Sequence, residues 1–486
     1  MVTNISDYFL YRWRYLLGYG VIVLLMIALF AIAWLLVPGG ITDAEMHSSV
    51  ISGSFTFSIQ ALTPESMLNL PYHVLQYTSF KLLGVSDLTI KLPSLILGLS
   101  SALGILLLLR MWFKQNVAVI TTVLVITTSQ FLYLTQDGTP TVLYIFWTVW
   151  MLVAALMVSR KARGTIFWKL ALFTIGALSL YTPLESYIII ALLSAVILHP
   201  HLRYIVKQLS KKRLTFATIC GLILLAPLIY ALIKQPSLGL QLLGIPTAHL
   251  DIVANIKTLF WQYLNFFNPG GERTITPIYG LGTWILIVLG LVQLFTTKYT
   301  ARGYITIAWS LLLLPVIVVN PQYVSITFIP VVLLMAMGVS MLITRWYKLF
   351  PRNPYARIAG LVPLALLIGG MVFSGVDRYT YGYSHIPLVA NQFSNDLTIL
   401  NKKLATIKSG PTALVVDQRE LPFYHTVAKY NSNITVTGAE LVLPVADTVI
   451  VSREGQAAKQ AGPDPSEILT NDRYKKADRF YIYKTP

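Results

Sequence analysis

The sequence predicts an all-α polytopic membrane protein with a small α/β domain at its C-terminal end. Of the 486 residues, 55% are hydrophobic and only 12% are charged. Soluble domains usually carry about a quarter charged residues, so this much apolar surface requires lipid as its solvent. After Ser374 the sequence becomes polar and strand-like. We therefore divide the chain into a membrane domain, residues 1–375, and a C-terminal domain, residues 376–486.

Eleven apolar runs are predicted to cross the bilayer as helices, although two of them are short. The first run is too long for the apolar core of a signal peptide, so we expect it to remain as a transmembrane helix. The predicted spans are residues 16–37, 92–113, 117–134, 140–158, 167–181, 185–198, 214–233, 277–296, 304–319, 323–343 and 358–375.

The distribution of charge predicts an orientation. With the N-terminus inside, 19 Lys and Arg side chains before the tail fall on inside segments and five fall on outside loops, as the positive-inside rule requires. Of the 20 acidic residues, only Asp7 falls inside. The excess of basic over acidic residues therefore reflects membrane topology and contact with membrane lipid, not nucleic-acid binding. We expect a multi-pass protein of the plasma (cytoplasmic) membrane whose active site and C-terminal domain are extracytoplasmic.

Two outer loops are long and contain helical apolar spacing. In loop one, residues 38–91, one helix is expected from Thr42 and a second from Leu68 to Leu83; the second is too short to span and should lie in the interface. Loop four, residues 234–276, has a similar segment near 252–267. In the tail, the alternating runs TALVVD, NITVTG, DTVIVS and RFYIYKT predict strands, with helices near 389–408 and 420–430.

The first candidate site follows the first span directly. Asp43 and Glu45 place two carboxylates at the outer surface, where one is suited to act as a general base toward a hydroxyl or to bind a divalent cation. Thr42 and Glu45 also have the spacing of a helix capping box. The structural and the chemical interpretations are compatible, and both stay open.

Each of the other candidates has a structural alternative. Asp137 lies in the second outer loop, a tight turn between the third and fourth spans, and Asp before Gly is an ordinary turn pair. Glu185 lies at a predicted helix start, where an acid is favoured by the helix dipole. Lys81 and Lys91 either extend to the interface or bind a lipid phosphate. His73 is expected to line the interface, and Arg273 either pairs with Glu272 or faces an anionic substrate.

Several classes of chemistry find no support in the sequence. There is no P-loop, nucleophile elbow, HExxH motif or pair of cysteines, and the single Cys220 lies in an apolar run. ATP-driven chemistry, serine hydrolysis and a thiolate metal site are therefore not expected.

The motifs of loop one occur in a recognisable order: Asp43-Ala44-Glu45, then Leu70-Pro71-Tyr72-His73, Leu83-Gly84 and Lys91-Leu92-Pro93-Ser94. They are followed by FLYLTQDGTPTVLYIF, SLYTPLESYIII and NPQYVSITFIPVVLLMAMG. In order and spacing, this resembles the GT-C superfamily of polyprenyl-phosphate-dependent glycosyltransferases over roughly residues 1–375. The closest branch looks like glycosyltransferase family 39, which includes protein O-mannosyltransferases and lipid A aminoarabinose transferases.

The resemblance implies an inverting transfer of a sugar from a polyprenyl-phosphate carrier to the hydroxyl of a glycan, lipid or protein on the outer face. Asp43 would be the catalytic base, with Glu45 as a second acid. A phosphate leaving group needs positive charge or a metal rather than a proton donor. No cofactor is certain, and a divalent metal stays open. The substrate-binding candidates are Asp137, Tyr72, His73, Lys81, Lys91, Glu185 and Arg273.

The sequence also departs from the family pattern. The family's two acids are usually adjacent, whereas Ala44 separates them here, and positions i and i+2 of a helix do not share a face. Gln136, Thr139 and Gln322 stand where arginines are usual. These changes weaken the expected phosphate site and leave two alternatives: a non-catalytic scaffold that binds glycolipid, or a lipid-carrier flippase or transporter. The near absence of ionisable residues within the spans argues against the latter.

Overall fold

The protein is described by a computed structural model, which covers residues 9–35, 39–56, 64–160, 164–246, 250–266, 275–297, 299–349, 354–407, 411–431, 434–438, 446–457, 464–471 and 478–484. The helices are α1 (Phe9–Leu35), α2 (Asp43–Gly53), α3 (Pro64–Met67), α4 (Leu70–Leu83), α5 (Asp87–Trp112), α6 (Gln115–Ile126), α7 (Ser129–Gln136), α8 (Leu143–Ser159), α9 (Thr165–Ser179), α10 (Ser186–Leu198), α11 (Pro200–Lys207), α12 (Lys211–Lys234), α13 (Ser237–Leu242), α14 (Ile252–Leu264), α15 (Leu281–Thr296), α16 (Ala301–Val319), α17 (Phe328–Leu349), α18 (Pro354–His385), α19 (Pro387–Ala390), α20 (Asp396–Thr406), α21 (Leu421–Tyr430) and α22 (Arg453–Ala457). The strands are β1 (Thr412–Val416), β2 (Ile434–Gly438), β3 (Thr448–Ser452), β4 (Glu467–Thr470) and β5 (Asp478–Lys484).

The helical bundle confirms the prediction of a polytopic membrane protein. Among the described residues, 7 helices are long and apolar enough to cross a membrane, or up to 9 if each bent pair is one span. The bent pairs are α6 with α7, at 64°, and α10 with α11, at 97°. Each predicted span falls on a helix of the structure, but α9 and α15 are shorter than a full span. The exact count of eleven is therefore not confirmed.

Glycines bring two helices of the bundle into close contact. A Cβ added to Gly290 on α15 would lie 2.0 Å from the Leu334 carbonyl oxygen on α17, and one added to Gly338 would lie 2.1 Å from that of Leu286. Small residues permit such backbone contact between membrane helices, where van der Waals packing replaces the hydrophobic effect as the driving force.

The helices predicted in loop one are present as α2 and α4. Thr42 and Glu45 form the complete capping box at the start of α2, as their spacing indicates. On α4 the apolar side chains of Leu75, Leu82 and Leu83 are 45%, 75% and 63% exposed, and Lys81 is exposed beside them. An apolar surface beside a cation on a short helix is typical of a helix that lies in the membrane interface.

The tail forms a five-stranded sheet in the order β2-β1-β3-β5-β4. β1 pairs in parallel with β2 and β3, and the remaining pairs are antiparallel. All four predicted strands are present, whereas β4 was not predicted, since its sequence EILT is short and mostly exposed. The predicted domain boundary at residue 375 falls inside α18, and the division into two domains stays a prediction.

The sheet packs directly on loop one. A single apolar cluster joins Leu414 and Ile450 of the sheet to Ile41, Phe80 and Ile90 of the membrane part. The Asn431 side chain pairs with the backbone of Val85 in both directions, accepting from its N–H at 2.9 Å and donating to its carbonyl at 3.0 Å. The tail therefore contacts the segments that carry the candidate acids.

Candidate active site

Glu45 lies at the centre of the contacts between loop one and the second outer loop. Its side chain is only 1% exposed. Oε2 accepts from the Thr42 N–H at 2.7 Å, Oε1 accepts from the Gly138 N–H at 2.6 Å, and the Lys91 ammonium lies 3.7 Å from Oε1. Both carboxylate oxygens are thus already engaged by the protein, so Glu45 is placed to position the two loops.

Asp43 differs from Glu45 in its surroundings, as the spacing of the two acids predicts. It is the first residue of α2 and is exposed, and His47, one turn further along the helix, is exposed as well. On an α-helix, residues i and i+2 are about 200° apart around the axis. One acid of the pair therefore faces the protein interior, and the other is accessible to a substrate.

Asp137 closes the second outer loop on itself. Its Oδ2 accepts from the hydroxyls of Thr139 and Thr141, at 2.5 and 2.9 Å, and the side chain is 7% exposed. Burial, and then the nearby charge of Glu45, raise the pKa of Asp137 to about 6, although the two threonine hydroxyls and Lys91 act in the opposite direction. This carboxyl therefore titrates closer to neutral pH than an ordinary aspartate.

Lys91 is directed inward rather than toward solvent. Its ammonium donates to the Gly40 carbonyl at 2.7 Å, lies near Glu45 as described above, and sits 5.6 Å from the ring centre of Phe393 on the tail side. The side chain is 9% exposed. Lys91 therefore joins the start of loop one, α5 and the segment after α19.

A polar network behind these acids was not predicted. Gln76 on α4 accepts from the hydroxyls of Ser48 and Ser52 at 3.1 and 2.6 Å, and its amide nitrogen donates to the carbonyls of Ile90 and Gly138 at 2.9 and 3.2 Å. Ser48 and Ser52 lie four residues apart on α2, and this spacing on one helix face was the available signal. The network connects α2, α4, α5 and the second outer loop.

His73 and Tyr72 belong to the same buried layer. His73 Nδ1 lies 2.8 Å from the Ser52 hydroxyl, and burial lowers the pKa of His73 to about 4, with His47 adding to the effect. The Tyr72 hydroxyl lies 2.8 Å from that of Ser94, which donates to the Asp137 carbonyl. Both side chains are buried. His73 therefore packs against α2 and does not line the interface as expected, whereas Tyr72 supports the second outer loop through Ser94.

The remaining predicted residues are dispersed. Glu185 is fully buried in the bundle, where its carboxylate accepts from the Thr148 hydroxyl at 3.3 Å. Lys81 is exposed on α4. Arg273 and its neighbour Glu272 lie outside the described residues.

The positions at which the family usually has arginine carry neutral side chains with other contacts. Gln136 is 2% exposed and accepts from the Tyr379 hydroxyl of α18, and Thr139 donates to Asp137. Gln322 is exposed. In the part of the chain that the structure describes, no group of three or more His, Cys, Asp or Glu side chains is arranged to hold a metal ion.

Comparisons with known proteins concern the fold and part of the sequence. Residues 72–230 match the family model for dolichyl-phosphate-mannose-protein mannosyltransferase. No curated protein sequence matches the chain. Among solved structures, the fold is similar to that of the Archaeoglobus fulgidus oligosaccharyltransferase tethered with an acceptor peptide, at TM-score 0.51 and 11% identity, over 87% of this chain and 64% of that chain.

Two further structures are similar over nearly the whole of this chain. ArnT from Cupriavidus metallidurans bound to undecaprenyl phosphate aligns over 96% of this chain and 98% of its own, with 13% identity and a TM-score of 0.48. The arabinofuranosyltransferase AftD from Mycobacteria aligns over 97% of this chain and 41% of its own, with 13% identity and a TM-score of 0.42.

The apolar helices define a multi-pass membrane protein, and its fold is similar to that of the oligosaccharyltransferase. The family-model match over residues 72–230 and the fold similarity to the oligosaccharyltransferase support the resemblance to the GT-C superfamily that the sequence predicts.

Proposed function

We propose that this protein is a membrane glycosyltransferase that moves a sugar from a polyprenyl-phosphate carrier to an acceptor hydroxyl on the extracytoplasmic side, with inversion. Asp43 acts as the general base. The observation that carries the proposal is the contrast within α2. Both carboxylate oxygens of Glu45 accept backbone hydrogen bonds in the interior, whereas Asp43 is exposed at the start of the helix. A base must be accessible to the proton that it removes.

The acceptor hydroxyl loses its proton to Asp43 as its oxygen attacks the anomeric carbon of the donor sugar. The bond from this carbon to the carrier phosphate breaks, and the phosphate leaves as an anion, so it needs stabilisation by positive charge. Lys81 is suited to this task because it is exposed on α4, a short helix with the features of an interfacial helix. Asp137 and Glu45 fix the second outer loop against loop one and act as positioning residues.

The proposal is tested by in vitro transfer with a panel of polyprenyl-phosphate sugars. Asp43→Asn should lower turnover by about 10²–10⁴-fold, the usual contribution of a general base. Asp251→Asn is the matched control, because Asp251 is another exposed acid at a helix start, where it accepts from the Ala254 N–H at 3.0 Å. This control should retain wild-type turnover.

Two outcomes would contradict the proposal. Turnover that is unaffected in Asp43→Asn would remove Asp43 as the base. Tight binding of the donor without turnover, for every acceptor tested, would favour the non-catalytic scaffold, for which the neutral side chains at positions 136, 139 and 322 are the supporting observation.

A further inference from the structure

A groove with two cations lies at the end of the bundle opposite to the candidate active site. It is a cavity of about 240 Å³ between α9 and α12, lined by Ile166, Leu170, Lys212, Arg213, Phe216 and Ala217. The second half of α12 contacts the active-site side, because Tyr181 donates to the Leu224 carbonyl and accepts from the N–H of Asn69, next to α4. The 24 residues of α12 extend about 36 Å. Leu224 lies 12 residues beyond Lys212, so the groove is about 18 Å along the helix from this contact.

The segment that leads into the groove has the properties of an interfacial helix. α11 turns by 97° from the axis of α10, so it runs across the end of the bundle instead of continuing the span. Its sequence, PHLRYIVK, alternates apolar side chains with Arg203 and Lys207. Tyr204 and Val206 are 61% and 42% exposed. Such a helix lies flat at the boundary between headgroups and acyl chains.

The positive charge of this region is not balanced by acids. Five cations occur between residues 203 and 213, at positions 203, 207, 211, 212 and 213, and the sequence from 138 to 250 contains a single acid, Glu185. None of the ion pairs found among the described residues involves these five side chains. Lys212 and Arg213 also lie in the first turn of α12, where the helix dipole favours anions over cations. A bound anion would balance the unpaired cations and would also interact favourably with the N-terminal end of the helix dipole.

We propose that this groove binds an anionic phospholipid of the leaflet opposite to the active site. Its headgroup phosphate would be held between Lys212 and Arg213, and an acyl chain would follow the apolar wall formed by Leu170 and Phe216. Charge complementarity selects an anionic over a zwitterionic headgroup, while the apolar wall selects a lipid over a soluble phosphate. The site shares no residue with the proposed transfer reaction, so the two can be tested separately.

Native mass spectrometry of the full-length protein, titrated with equal amounts of phosphatidylglycerol and phosphatidylcholine, measures the preference directly. Wild type should retain phosphatidylglycerol preferentially. Lys212→Gln with Arg213→Gln should reduce the preference about fivefold for each cation removed, which corresponds to about 1 kcal/mol per cation at an anionic surface. Retention of phosphatidylcholine should not change.

Two further variants separate the site from general charge effects. Lys212→Arg with Arg213→Lys keeps both charges and should keep the preference. Arg345→Gln with Lys348→Gln removes two exposed cations near the end of α17, on the predicted inside, and should also keep it. An unchanged preference in the Lys212 and Arg213 glutamine pair, or an equal loss in the Arg345 and Lys348 pair, would overturn the proposal.

Discussion

Glu45 and Asp43 should respond to substitution in opposite ways, although only one residue separates them. We expect Glu45→Ala to destabilise the protein strongly, whereas Asp43→Asn should leave stability nearly unchanged and lower transfer by about 10²–10⁴-fold. The difference follows from burial: the Glu45 side chain is 1% exposed and Asp43 is exposed.

The magnitudes follow from the contacts of each carboxylate. Glu45 accepts two backbone hydrogen bonds, and each bond to a buried charged group contributes about 1.5–3 kcal/mol. Its removal also leaves the ammonium of Lys91 buried without a carboxylate, and breaking a buried pair costs about 3–5 kcal/mol. These contributions overlap, so we expect a total loss of about 3–5 kcal/mol. For Asp43→Asn, only the interaction with the helix dipole is lost, about 0.3–1 kcal/mol.

The assay combines the melting temperature of the full-length protein in detergent with its transfer rate. Glu45→Gln is the informative intermediate, because the amide oxygen can accept from only one of the two N–H groups, those of Thr42 and Gly138, while its NH₂ group faces the other. It should therefore lie between wild type and Glu45→Ala in stability. A wild-type melting temperature for Glu45→Ala, or a lower one for Asp43→Asn than for Glu45→Ala, would refute the assignment of roles.

Three other substitutions test the surroundings of the site. Burial, and then a neighbouring carboxylate, raise the pKa of Asp137 from 3.8 to about 6. The folded state therefore binds this proton more tightly than the unfolded state, so the stability that Asp137 contributes declines as pH rises from about 4 to 6. Asp137→Asn should remove that decline from the pH dependence of the melting temperature. Asn431→Ala removes both hydrogen bonds to Val85 and should cost about 1–3 kcal/mol, with faster hydrogen exchange around Val85. Gly40→Ala should lower the melting temperature, because Gly40 has φ +97° and an added Cβ would lie 2.5 Å from the Ser394 carbonyl oxygen of the tail. Gly280→Ala is the control, since a Cβ added at Gly280 meets open space.

Most of the fold could be predicted from the sequence, since its elements follow from local pattern. The apolar runs, the capping box at Thr42 and the alternating runs of the tail all correspond to observed elements. The number of membrane-spanning helices was harder to predict from the sequence. The bend of 64° between α6 and α7 falls inside the continuous apolar run 117–134, and hydropathy does not register a change of direction within such a run.

The candidate site was predicted only in part, because its contacts connect residues that are distant in sequence. The pairing of Glu45 with Gly138 spans 93 residues, and the contact of Asn431 with Val85 spans 346. No local pattern encodes either of them. The inward orientation of Lys91 was likewise inaccessible, because a lysine at a membrane boundary extends to solvent by default. Its acceptor, the Gly40 carbonyl, becomes available only when loop one folds back on α5.

The neutral side chains at the positions where the family usually has arginine leave few cations near the candidate site. Gln136 and Thr139 are neutral side chains whose hydrogen bonds, to Tyr379 and Asp137, brace the second outer loop, so this loop offers no cation at those positions to a phosphate. Lys91 is directed to Glu45 and the backbone. Of the cationic candidates in the described part of loop one, Lys81 is the exposed one, and it lies on α4 beside the exposed apolar side chains of Leu82 and Leu83. We therefore infer that the donor phosphate approaches along α4 from the membrane, which brings the sugar toward the exposed end of α2 that carries Asp43.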